Sequence, residues 1–187
     1  MYTDNPGFYI ALFVHLISLV LGFGAVFIID IFGLLWLLKL WGVNLDLVRR
    51  VATITQRLIW VGFIGLVLSG IPLLMLKGTI SDLTKIKLAL VVLVGLNGIF
   101  LHYIKQSLDA LGDNITDVPK QLMFRISLAS FVSQLGWWGA TAIGFYNRHI
   151  GEQMDWTQYY IPIIGLIVFV IGTVWTIGEF MTGKPKQ

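Results

Sequence analysis

No cysteine occurs among the 187 residues, which excludes disulfides, Fe–S clusters, thiolate-ligated haem and haem attached through Cys-x-x-Cys-His. Charge is scarce as well: Asp, Glu, Lys and Arg make up 12% of the chain, about half the share usual in soluble domains. No hydrolase, kinase or nucleotide-binding signature is present. Histidine occurs three times and methionine five times, in scattered positions that converge on no copper site. The basic residues also form no patch, so the net charge of +3 and pI near 9.2 do not indicate nucleic acid as a partner. What is abundant is apolar surface: 57% of residues are hydrophobic and the mean hydropathy is +0.83.

That composition belongs in a lipid bilayer. Five apolar segments, at about 8–38, 53–76, 83–108, 121–146 and 159–180, each approach or exceed the roughly 20 residues needed to cross a hydrocarbon core. The expectation is an all-α integral membrane bundle of five transmembrane helices forming a single domain over 1–187. Asn5 and Pro6 resemble a helix start. Pro72 is expected to bend the last turn of the second helix, and Pro162 is tolerable in the first turn of the fifth. Met1 to Phe8 carries no basic stretch, and the apolar run that follows is too long for a signal peptide, so the first helix is expected to be retained.

Orientation follows from lysine and arginine, which favour cytoplasmic loops. One side holds Lys39, Arg49, Arg50, Arg57, Lys105, Lys120, Arg125, Lys184 and Lys186, and the other Lys77, Lys85, Lys87 and Arg148, nine against four. This places the N-terminus outside and the C-terminus in the cytoplasm, in the cytoplasmic (inner) membrane. The sequon Asn114-Ile-Thr116 then faces the cytoplasm, where it is not glycosylated. The tail Gly183 to Gln187 reads as an inner-leaflet anchor. A homo-oligomer is compatible with this layout.

Polar residues at membrane depth are costly and usually face a partner. The set comprises His15 and Asp30 in the first helix, Asn97 and His102 in the third, Gln134 in the fourth and Glu179 in the fifth, with Lys87 at the outer end of the third. At 100° per residue His15, Gly22, Asp30 and Gly33 share one side of the first helix, and Lys87, Val91, Gly95, Gly98 and His102 one side of the third. Each pair of ionisable groups is separated by 15 positions, about 22 Å of rise. If the two stripes meet, His15 lies level with Lys87, and Asp30 with His102. The glycines then permit either close helix approach or room for a flat macrocycle.

Each residue has two readings. His15 is an axial haem ligand or a hydrogen-bonded interhelical histidine. Lys87 pairs with a carboxylate such as a haem propionate, or snorkels to the interface. Asp30 and His102, with Arg57 or Glu179 near them, carry protons or form a static ion pair. His15 and His102 lie about 20 Å apart along the membrane normal, too far to ligate one iron together. His149, beside Arg148, reads as a solvated surface residue. Asn97 and Gln134 read as interhelical hydrogen-bonding amides. Trp137 and Trp138 form an aromatic belt, or wall an aromatic cofactor.

An early histidine in the first helix, basic residues before the second, and Lys87-Leu-Ala-Leu-Val-Val-Leu93 opening the third followed by an aromatic, histidine-bearing end, together resemble the CopD-like and HemJ-like membrane proteins. The resemblance covers about residues 8–146. It implies a small haem b protein of the protoporphyrinogen oxidase type, with His15 and Lys87 as the functional pair. His15 would then be the metal ligand, Gly22, Gly95 and Gly98 would line the cofactor, and a quinone or porphyrin would be the partner. The fifth helix and the position of His102 depart from that pattern. The reading from another class is a small proton, ion or solute transporter with a polar pathway and no prosthetic group. A third is a membrane assembly subunit whose polar residues serve packing alone.

Overall fold

The computed structural model describes residues 5–78, 80–111 and 118–149, the last three by backbone alone. All regular structure among them is helical: α1 (Pro6–Leu37), α2 (Leu45–Lys77), α3 (Asp82–Asp109) and α4 (Lys120–His149). The expected fifth helix with Pro162 and Glu179, the basic tail, the sequon at 114–116 and the His149 side chain lie outside the described residues. α1, α2 and α3 are each long and apolar enough to cross a membrane, so by length and composition this is a membrane protein. α4 is diluted by Ser127, Ser130, Ser133, Gln134 and Gly136 and is not counted with them.

The chain divides into two compact units, Met1–Ser81 and Asp82–Gln187. In the first, α1 packs on α2. α1 begins where Asn5 caps it, the Asn5 side chain accepting from the Gly7 N–H at 2.8 Å with Pro6 in the first turn, a position where a missing amide costs nothing. α2 begins at Leu45, eight residues before the expected Thr53. The reason is local: Asn44 accepts from the Leu47 N–H at 2.9 Å, and Asp46 in the first turn pairs with Arg50 at 2.9 Å. A capped helix need not stop where its apolar run stops. α2 ends at Gly78, whose φ of 72° gives a left-handed cap.

The buried positions of α1 are Phe8, Ala11, Ser18, Gly22, Ala25 and Val26; with half-buried His15 they advance by alternate steps of three and four up to Ala25. Those of α2, Val48, Thr55, Gly62 and Ser69, recur every seventh residue. Both patterns are heptads, which keep one seam in contact through a left-handed supercoil. Apart from Phe8, His15, Val26 and Val48, the seam is made of small and hydroxyl residues, while large apolar side chains such as Ile10, Phe13, Val20, Leu68 and Met75 are exposed. This inversion suits lipid, where association rests on close packing rather than on burying hydrocarbon from water.

In the second unit α3 packs on α4 by the same rule. Gly136 faces Val94, and a Cβ at Gly139 would come within 2.9 Å of Leu90. Asn97, buried, donates from Nδ2 to the Ala129 carbonyl at 2.8 Å, the interhelical amide bond expected from its depth. Its loss in Asn97→Leu is expected to cost about 0.6 to 1.7 kcal/mol, read from the denaturant midpoint in detergent micelles. The two indoles part company: Trp137 is 3% exposed and Trp138 53%. Only Trp138 has the outward placement of a belt residue.

Candidate functional site

His15 occupies a seam position of α1 and meets α2 at Ser69 and Gly70. Its Nδ1 lies 3.0 Å from Ser69 Oγ, and a Cβ built on Gly70 would sit 3.7 Å from Cε1. The Ser69 hydroxyl has a single hydrogen, and it is engaged: Oγ donates to the Gly65 carbonyl at 2.6 Å, an acceptor that cannot donate in return. With that hydrogen on the Gly65 carbonyl, the ring nitrogen is the donor and Ser69 Oγ the acceptor; with it turned to the ring, Nδ1 accepts. In the first arrangement the neutral imidazole carries its hydrogen on Nδ1 and its lone pair on Nε2. A hydrogen bond to the other ring nitrogen sets the tautomer and ring orientation of metal-ligating histidines.

The same seam accounts for Gly22. A Cβ on Gly62 would lie 2.5 Å from both Cα and N of Gly22 and 2.7 Å from the Ser18 carbonyl oxygen, so these two backbones are in direct contact. Of the two uses of glycine expected from the sequence, Gly22 serves close helix approach. One turn along, a Cβ on Gly65 would run into the Ser18 side chain. The register is regular, since residues 15, 18 and 22 oppose 69, 65 and 62.

Asp30 is half-buried on α1. Over the 15 positions from His15, a repeat of 3.5 residues carries Asp30 about 100° round the helix, against about 60° for a straight helix.

In the second unit Lys87, half-buried, faces α4: its Nζ lies 3.3 Å from where a Cβ of Gly144 would be. Gly95 and Gly98 are half-buried on α3. His102 is exposed and bonds within its own helix, its Nε2 lying 3.0 Å from Gln106 Nε2. The amide nitrogen can only donate, so His102 Nε2 accepts. Thus the face of α1 bearing His15 has α2 as its packing partner, and Lys87 on α3 has α4.

Ser69 is the residue that sequence reasoning missed. Its signal was present: the Ser69-Gly70 pair stands seven and eight positions beyond Gly62, on the repeat that also places Thr55. Among the described residues no group of three or more His, Cys, Asp or Glu is placed to hold a metal ion. A bare ion needs several protein donors; a metal that brings a macrocycle needs one or two. Searches against protein-family models, curated proteins and solved structures find no match to this chain.

Proposed function

We propose that this chain is a haem b-binding protein of the cytoplasmic membrane, with five spanning helices and its N-terminus outside. It acts in electron transfer or in oxidation of a hydrophobic substrate such as a quinol or porphyrinogen. The observation that carries the reading is the 3.0 Å hydrogen bond between His15 Nδ1 and Ser69 Oγ. It holds an imidazole at membrane depth in one orientation, and with Nδ1–H as the donor Nε2 is the nitrogen that would meet iron. A porphyrin supplies four nitrogens of its own, so this donor set fits a macrocycle better than a bare ion.

When bound, haem supplies one-electron redox chemistry. The chain's own part is to hold, orient and exclude. His15 would hold the iron through Nε2, Ser69 would keep the ring from turning, and the seam that buries Ser18, Gly22 and Gly62 holds α1 against α2. Lys87 is the candidate cation for a carboxylate of the ligand, the role the HemJ-like resemblance assigns it, and Asp30 and His102 remain the candidate proton carriers. Half-buried Asp30 and Lys87 within spanning helices favour the second reading, a polar pathway with no prosthetic group.

Colour separates these readings. Protein purified from haem-replete cells is expected to show a Soret band that shifts on reduction, whereas a stable, colourless preparation favours the pathway. Ser69→Ala is expected to retain haem with an affinity about 10- to 100-fold weaker, because it removes the orienting acceptor and leaves the ligand. Titration of apo-protein with haemin, followed at the Soret maximum, checks this. An affinity equal to the wild type would remove Ser69 from the site.

A further inference from the structure

The connection between α1 and α2 has a backbone that neither helix packing nor the haem reading requires. α1 closes with a Schellman motif: Lys39 N–H donates to Trp36 O at 3.0 Å and Leu40 N–H to Leu35 O at 2.9 Å. The left-handed residue of that motif is usually glycine, which alone lacks the Cβ penalty. Here it is Lys39, at φ 54°, and Trp41 follows at φ 55° and Gly42 at φ 67°. A further bond from Val43 N–H to Leu40 O at 3.2 Å closes the turn. Three left-handed residues in four positions make a tight, outward-directed loop.

The loop presents Trp41, whose 87% exposure is the highest of any large apolar side chain among the described residues, with Leu38 and Leu40 also exposed beside it in the chain. An indole this bare is unfavourable in water but suited to the headgroup layer, where its ring is buried and its N–H stays wet. The layer is at hand, because both helices that the loop joins are long and apolar enough to span a membrane. The charge is one-sided: over residues 38–50 there are three basic groups, Lys39, Arg49 and Arg50, and one acidic group, Asp46. Asp46 is taken up by Arg50 at 2.9 Å.

We propose that residues 38–44 form a headgroup-binding loop, in which Trp41 seats in the interfacial layer and Lys39 binds the phosphate of an anionic phospholipid in the same leaflet. A left-handed lysine persists because glycine, the residue the backbone favours, would lose the ammonium.

The test uses the full chain in vesicles containing brominated phosphatidylglycerol or brominated phosphatidylcholine at equal mole fraction. Tryptophan quenching is measured in the wild type and in Trp41→Phe, and the difference isolates Trp41. That difference is expected to be quenched about two- to fivefold more effectively by the anionic lipid. Lys39→Gly adopts the same φ without strain, so it is expected to abolish the preference while leaving the thermal unfolding midpoint unchanged or higher. Lys39→Arg is expected to keep the preference. Equal quenching by the two lipids in the wild type, or a preference that survives Lys39→Gly, overturns the proposal.

Discussion

Replacing Gly62 with leucine is expected to force α1 and α2 apart and to destabilise their pairing by at least about 3 kcal/mol. The magnitude follows from what the new side chain would meet. At Gly62 even a single Cβ would lie 2.5 Å from the Gly22 backbone and 2.7 Å from the Ser18 carbonyl oxygen. No rotamer change can clear backbone atoms, and a close helix contact in lipid has no hydrophobic driving force to compensate for separation. The control is Gly24, which has nothing within 4 Å of a built Cβ. Gly24→Ala is expected to be neutral or to gain up to about 1 kcal/mol from helix propensity. Unfolding of both variants in mixed micelles, with increasing SDS, measures the contrast. Equal midpoints would contradict the seam described above.

His15→Ala is expected to remove the pigment while leaving the fold nearly intact, and that division distinguishes a ligand from a structural histidine. Truncating the ring removes the interhelical hydrogen bond to Ser69, about 0.6 to 1.7 kcal/mol in a membrane protein. The Ser69 hydroxyl keeps its bond to the Gly65 carbonyl, so no unsatisfied donor is left in the seam. Loss of the imidazole that would hold the iron, by contrast, is expected to abolish haem retention through purification. A variant that loses both colour and its unfolding midpoint to the same degree as Gly62→Leu would place His15 with the packing residues.

How far the chain could be read from its sequence differs by element. The first and third helices, expected at 8–38 and 83–108, are found at Pro6–Leu37 and Asp82–Asp109, because continuous apolar runs and the Asn5-Pro6 cap fix their ends. The start of the second was misplaced because hydropathy locates the lipid boundary, whereas the helix obeys its cap at Asn44 and its Asp46–Arg50 pair. Asn97 was read correctly as an interhelical amide, since a buried carboxamide in lipid has few other options. Helix pairing was harder. A straight 3.6-residue wheel groups His15 with Asp30; the residues found against α2 are His15, Ser18 and Gly22, opposite Ser69, Gly65 and Gly62, on the helix reached through the short 38–44 connection. The mate of His15, Ser69, was overlooked because a lone hydroxyl carries little signal until the sevenfold repeat of Val48, Thr55 and Gly62 singles it out.

The account rests on His15 Nε2 being an iron donor, and the most direct measurement is a reduced-minus-oxidised absorption spectrum of the full chain purified in mild detergent from haem-replete cells. It predicts a Soret band with b-type α and β features in the wild type and their absence in His15→Ala. A folded wild-type preparation that shows no haem absorption, or a His15→Ala variant with an undiminished spectrum, would contradict it.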